Sequence, residues 1–342
     1  MRIEIRFIIL IATLLYIVLA MLTILNYYGY ILHKSRKSRN TLMFISMSLN
    51  MILSVVTVIP LIMPVIIIIT LTLIFTPSLP ILILFSGYVL VFVIVVSIPL
   101  SKMLKAYRCF GEEEHEINGV KLTICKEGPV NAWYDASKNR IYIGDKLLNV
   151  LNRDELIAVY YHELGHKSSR LLRFIVAATV TFWLWVTATI IFVLVLHYIG
   201  LVDFVSILAY IFSSTLLSTI ATMINMWINE HEADMHSINN TNARNLISAL
   251  AKIYVLAQVY RNQHLKEAVE IEIKNVDIDR LINAAKSLRL RDVVKIILLE
   301  GLRVVAGVMG IFNLVIDPLP PTHPPLELRI LKISDDSLFC KV

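Results

Sequence analysis

His162-Glu163-Leu164-Gly165-His166 is the stretch of this 342-residue chain whose residue types and spacing point most directly at chemistry. On a helix, two histidines four residues apart sit about 40° apart around the axis, so both imidazoles reach one metal ion. The glutamate between them lies close enough to take a proton from an attacking water. This H-E-x-x-H pattern implies zinc-dependent hydrolysis of a peptide bond.

Catalytic zinc takes three protein ligands at about 2.0–2.2 Å and keeps a fourth position open. His162 and His166 supply two, and Glu230-His231-Glu232-Ala233-Asp234 is the best source of the third. Glu230 and Asp234 share a helix face, so one can bind metal while the other hydrogen-bonds a ligand histidine and fixes its tautomer. Glu232 points about 200° away from Glu230, and His231 and His236, which could ligate in principle, read first as local helix residues. Glu163 then takes the water proton and returns it to the leaving amine, and a further donor should stabilise the oxyanion.

Several elements must position these groups. Asn152 reads as an N-cap with Glu155 as its capping-box partner, opening the helix that carries the pentad. From Phe174 to Asn229 the only charged residue is Asp203. Gly200-Leu201-Val202-Asp203 splits that stretch into a transmembrane hairpin over about 174–228. His166 and Glu230 lie so close to its ends that the metal would sit roughly 5–12 Å from the hydrocarbon edge.

Composition agrees with a membrane setting. The chain is 57% hydrophobic and 17% charged with mean hydropathy +0.71, whereas soluble domains carry about a quarter charged residues. Phe7 to Leu32 is an uncharged run, too long for a signal-peptide core, and reads as a retained span. No charge occurs from Asn40 to Ser101, while basic residues flank both ends, at Arg39 and at Lys102, Lys105 and Arg108. An even number of crossings keeps both clusters in the cytosol, which gives spans at about 42–75 and 79–100. The expected fold is therefore a mainly α, multi-pass membrane protein. Residues 1–101 form the N-terminal membrane region, and 102–342 a cytosolic metalloprotease domain interrupted by the hairpin.

Within that domain, Val120–Ile124 and Arg140–Ile143 alternate like strands, and Asn131–Tyr134 leads into a turn-rich segment. A small antiparallel sheet is expected. The acidic run Glu112–Glu116 reads as a solvated loop. Beyond Thr241 the chain reads as helical, with Val304–Ile316 too short to span a bilayer. Cys109, Cys125 and Cys340, odd in number and without CxxC spacing, fit a reducing compartment. The formal charge of +6 fits lysines and arginines held on the cytosolic side, and no basic stripe interleaved with aromatics points to nucleic acid.

The pentad, the two-span hairpin, Glu230-x-x-Ala233-Asp234 and Thr322-His323-Pro324-Pro325-Leu326-Glu327-Leu328-Arg329-Ile330 together resemble the HtpX-type membrane metalloproteases, relatives of the CAAX prenyl endopeptidases. Asn131-Ala132-Trp133 and Asn152–Leu156 add to the likeness, which covers roughly 101–334. The resemblance implies a gluzincin-like domain with one Zn2+ on His162, His166 and Glu230, and Glu163 as base. It implies Asp234 behind a ligand, His323 near the substrate or oxyanion with Arg329 supporting it, and a substrate-pairing strand at Asn131, Ala132 and Trp133. The expected substrates are membrane or misfolded proteins, cut at the cytosolic face of the plasma membrane in quality control. A regulatory site-specific protease or sensor-transducer is the competing expectation.

Overall fold

The structure is a computed structural model that describes residues 2–32, 109, 111–117, 119–135, 138–168, 204–261, 276–308 and 323–336. The expected spans 42–75 and 79–100, and the first arm of the hairpin, lie outside those residues. Seven helices and four strands are present among the described residues. They are α1 (Arg2–Leu32), β1 (Gly111–Ile117), β2 (Val120–Lys126), β3 (Ala132–Asp135), β4 (Arg140–Gly144), α2 (Arg153–Ser168), α3 (Phe204–Asn240), α4 (Ala243–Arg261), α5 (Ile278–Lys286), α6 (Leu290–Val308) and α7 (Leu326–Asp336). Among the described residues no helix is long and apolar enough to cross a membrane.

The capping box forms as the sequence implies. Asn152 Oδ1 accepts from the Glu155 amide at 2.9 Å, and Glu155 Oε2 accepts from the Asn152 amide at 2.8 Å. Two otherwise orphaned donors are satisfied at the start of α2. Glu155 has a second task that the sequence does not reveal. Its buried carboxylate receives Lys252 Nζ at 2.8 and 2.9 Å and Ser248 Oγ at 2.6 Å, which ties the start of α2 to α4.

The sheet is mixed, not antiparallel. Its order is β1-β2-β4-β3, with antiparallel pairing at both flanks and parallel pairing of β2 with β4 from Thr123–Tyr142 to Cys125–Gly144. Alternation identifies strands but not neighbours. The deciding property is that Ile141, Tyr142 and Ile143 are buried in succession, so β4 must lie inside the sheet. The chain leaving β2 crosses the end of β4 to reach the far edge. There Gly144 donates to Asn131 O at 2.9 Å, and a Cβ on Gly144 would lie 2.1 Å from Pro129 O.

Two further expectations change. The acidic run is strand β1 rather than a loop, because its charges find partners across the sheet: Glu112 receives Lys138, Arg140 and Tyr142, and Glu113 pairs with Lys126 at 2.8 Å. Cys109 and Cys125 form a disulfide with their Cα atoms 5.3 Å apart. The β1–β2 hairpin folds the chain back so that Glu112 faces Cys125, a proximity that spacing alone conceals. The argument from unpaired thiols to a reducing compartment therefore falls.

Two apolar clusters hold the elements. One joins parts of all seven helices around Tyr27, Trp227, Ile220, Leu246, Ile297 and Leu328. The other lies between the sheet, α2 and α4, around Ile124, Ile143, Leu156, Val159 and Ile253. The segment from 258 to 310, unassigned by resemblance, contributes α5 and α6 to the first cluster through Ala285, Val293 and Ile297. Replacing Glu155 by alanine strands the Lys252 ammonium in this interior. The expected loss is about 3–5 kcal/mol of unfolding free energy in denaturant titration, with much of it recovered in a Glu155→Leu/Lys252→Met double variant.

Candidate metal centre

The site is built where α2 and α3 come unusually close. A Cβ on Gly165 would sit 2.8 Å from Ala233 Cα and 3.1 Å from His236 Cβ, so only a glycine facing an alanine permits this approach. Side chains of α3 then reach the α2 backbone. Ser237 Oγ donates to Ala158 O at 2.6 Å, and the His236 ring nitrogen Nδ1 donates to Tyr161 O at 2.9 Å.

This contact aims three donor groups at one point. His162 Nε2 and His166 Nε2 are 3.2 Å apart, and the Glu230 oxygens lie 3.2 Å from His166 Nε2 and 3.5 Å from His162 Nε2. Two ligands of a tetrahedral ion bound at about 2.0–2.1 Å are separated by about 3.3 Å, so the triangle has the dimensions of a coordination face. Glu230 Oε2 is buried and makes no hydrogen bond, facing His162, His323 and Arg329 only at 3.4–3.8 Å. A buried carboxylate oxygen left without a hydrogen bond is costly, and a cation at this point would satisfy it. Among the described residues His162, His166 and Glu230 form the one group of three side chains placed to hold a metal.

The outer nitrogens of both histidines are held. His162 Nδ1 lies 2.9 Å from Asp234 Oδ1, and Asp234 is in turn gripped by Arg329 through Nε at 2.9 Å and through Nη2. The Asn229 amide lies 3.1 Å from His166 Nδ1. With Nε2 turned to the metal position Nδ1 carries the proton, and the Asn229 amide, turned over from Nδ2, would present its carbonyl oxygen to accept it. Each imidazole is thus locked in one tautomer. Sequence reasoning overlooked Asn229; its only signal was a polar residue directly before Glu230 at the end of an apolar run.

Burial and charge set the protonation states. Burial favours an uncharged His162, but the neighbouring carboxylates of Asp234 and Glu230 outweigh it and push the ring up to about 10 in the metal-free chain. Burial would raise the Glu230 carboxyl, yet His323 and His166 hold it well below the usual range. Asp234 is likewise held low, because Arg329 and His162 overcome its desolvation. Burial lowers His323 from its ordinary value, against the pull of the Glu230 carboxylate.

The structure places the remaining expected residues as follows. Glu163, only 8% exposed, and His323 both line a cleft that also includes Asn131, Ala132 and Arg329. Trp133 is not part of this lining; its ring stacks on Tyr142 with centroids 5.4 Å apart. Arg329 grips Asp234 and lines the same cleft as His323. His231 is more than a local helix residue. It is fully buried, burial lowers its pKa to about 3, and its Nε2 lies 2.8 Å from the Tyr27 hydroxyl. Tyr30 donates to Glu232 at 3.0 Å, and Lys332 Nζ donates to Tyr30 O at 3.1 Å, so α1 braces both α3 and α7 beside the site.

The sequence model of peptidase family M48 matches residues 108–337. The chain belongs to peptidase family M48. No curated protein and no solved structure matches it. Membership makes this chain a metallopeptidase, in agreement with the donor triangle. The family match ends short of α1, so the tyrosine brace is supplied from outside the matched region.

Two outcomes follow for this M48 chain. Asn229→Leu should weaken metal affinity about 10–100-fold in a chelator competition, whereas Asn229→Asp, which keeps the acceptor, should stay within a few-fold of wild type. In the metal-free protein, protonated His162 contributes stability that is complete below its unfolded pKa of about 6.5 and lost as pH rises through about 10. Thermal midpoints in excess chelator should therefore fall between those pH values, and the slope should flatten once metal displaces the proton.

Proposed function

We propose that this M48 metallopeptidase is a zinc endopeptidase embedded in the plasma membrane, cutting membrane or misfolded proteins at the cytosolic surface in quality control. The observation that carries the proteolytic reading is the juxtaposition of the His162–His166–Glu230 triangle with the Glu163 carboxylate in one cleft bordered by a sheet edge. Two imidazoles and a carboxylate at tetrahedral spacing are a donor set that suits zinc. The bound ion would act as a Lewis acid on the scissile carbonyl and on water.

The chain's own residues account for the remaining steps. Strand β3 ends the sheet order, so its outer edge at Asn131 and Ala132 is available for an extended substrate to pair with. Such pairing lays the scissile bond across the α2 face that carries Glu163. Glu163 takes a proton from the attacking water and delivers it to the leaving nitrogen. His323, which lines the same cleft, supplies an N–H for the developing oxyanion. Arg329 keeps Asp234 ionised, and Asp234 keeps the His162 Nδ1 proton in place.

Membrane attachment is supported by the uncharged runs and by the outer face of α1. Leu14, Ile17, Val18, Met21, Leu22 and Leu25 are all exposed and recur at helical spacing, a stripe that lipid would cover. The cytosolic orientation rests on the placement of lysines and arginines. The test uses detergent-purified protein, stripped by chelator and reloaded with zinc, acting on an unfolded protein and on itself. Glu163→Gln should lose about 10²–10⁴-fold in rate while retaining its metal. A variant that keeps its rate sinks the assignment of the base. A wild type that binds zinc yet cuts neither substrate shifts the reading to a site-specific regulatory protease.

A further inference from the structure

Thr23, Ile24, Tyr27, Tyr30 and Ile31 fall on one face of α1 and are all buried. Against them α3 sets Trp227 and His231, one turn apart and both fully buried. The His231 ring lies 5.9 Å from the Tyr27 ring and 6.0 Å from the Tyr30 ring, and Tyr27 also meets Trp227 at 5.7 Å. We propose that Tyr27 is a positioning residue for the metal centre: through its hydrogen bond with His231, α1 sets the place of the adjoining ligand Glu230. This role presupposes that Glu230 binds the metal, as the proteolytic reading above has it, and holds for any substrate.

The need for such a hold follows from where α3 is tied to α2. The contacts at Ala233, His236 and Ser237 all lie C-terminal to Glu230. In the other direction α3 runs back into its apolar half. Glu230 and His231 are successive, so they face directions about 100° apart. The ligand looks toward the α2 histidines, and its neighbour looks toward α1. A roll of this turn would swing the carboxylate away from both Nε2 atoms, and the pinned His231 ring opposes it.

Chemistry separates this pair from ordinary packing. Nδ1 of His231 is buried and makes no hydrogen bond, so the Tyr27 hydroxyl, 2.8 Å from Nε2, is the partner the ring has. A buried ring with one nitrogen unpaired is costlier than a leucine would be among Trp227 and two tyrosines. A leucine, however, can shift between aromatic faces at little cost, whereas a hydrogen bond is satisfied only where donor meets acceptor. A polar pair in an apolar interface fixes register at a cost in stability. The place fixed here adjoins the ligand.

The same face of α1 continues to α7. Tyr30 donates to Glu232 at 3.0 Å, and its carbonyl accepts Lys332 Nζ at 3.1 Å. Lys332 lies three residues after Arg329, which grips Asp234. Glu232 is only partly buried, so water can serve it in place of the Tyr30 hydroxyl. His231 is sealed from solvent, and the hold on Glu230 is therefore centred on Tyr27.

The experiment loads the full-length protein in detergent with Co2+, whose visible absorption reports coordination geometry. It also reads Co2+ affinity by chelator competition and the thermal midpoint of the metal-free form. Tyr27→Phe keeps the ring and removes the hydroxyl. It should weaken metal binding about tenfold, at the low end for loss of a group that orients a ligand, and alter the Co2+ spectrum. The double variant Tyr27→Phe/His231→Leu removes both polar partners, so its thermal midpoint should return to that of wild type or pass it. Its affinity and spectrum should stay impaired, a separation that a merely structural contact cannot give. Wild-type affinity and spectrum in Tyr27→Phe overturn the role of Tyr27, as does a double variant in which all three readouts recover together. In either case the metal site itself stands. A wild type that binds no Co2+ overturns the ligand set and this role with it.

Discussion

Everything at this centre depends on how closely α2 approaches α3. Gly165 against the small Ala233 leaves little side chain at the crossing, and the helices close until a Cβ on Gly165 would meet the α3 backbone. With a larger residue there the helices would stand further apart, and Glu230 further from the histidines. The hydrogen bonds from Ser237 and His236 to α2 carbonyls then fix the rotation of α3, which decides which of its residues face the centre. Glu230 and Asp234, one turn apart, both turn inward as a result. One meets the Nε2 side of His162 and the other its Nδ1 side. The ring is clamped between two carboxylates of the same helix.

The charges around this clamp are stable only as a set. Arg329, Asp234, His162 and Glu230 are all buried, and any one of them alone would carry a large desolvation cost. Their alternation of sign is what allows them to sit together: guanidinium on carboxylate, carboxylate on imidazole, imidazole on carboxylate. The last carboxylate oxygen lacks a hydrogen bond, so the chain of compensation ends at the metal position. The tyrosine brace from α1 extends the same logic outward. Tyr27 and Tyr30 hydrogen-bond the two residues that follow Glu230, and Lys332 spends its charge on the α1 backbone and the Tyr30 ring.

How much of this was legible in the sequence follows from the range of each interaction. The capping box, the histidine pair and the Glu230–Asp234 face are local patterns, set by the 3.6-residue period, and the residues stand where that period puts them. Strands β2 and β4 were legible by alternation, but their parallel pairing was not, because strand order depends on which strand is buried on both faces. The Cys109–Cys125 bridge and the strand character of Glu112–Ile117 depend on a hairpin register that no spacing encodes. Asn229, Lys252 and Tyr27 were illegible for a simpler reason. Each is an ordinary residue type whose role exists only through a partner 63 to 204 positions away. The motif shows which atoms do the chemistry, but tertiary contact alone shows what holds them still.

Helix α3 joins these two scales. It runs unbroken from Phe204 to Asn240, apolar in its first half and carrying Glu230 and Asp234 in its second. Phe212 is half exposed, and Glu230 lies about 27 Å further along the axis at 1.5 Å per residue. No proline or glycine interrupts that distance, so the helix has no built hinge through which to bend. A tilt imposed on the apolar half therefore moves Glu230 relative to the histidines on α2. The Gly165–Ala233 crossing and the α1 brace flank the ligand and oppose such movement from either side. In the membrane reading, the bilayer would act on the first half of this lever. The ligand geometry would then depend on how firmly α1 and α2 hold the second.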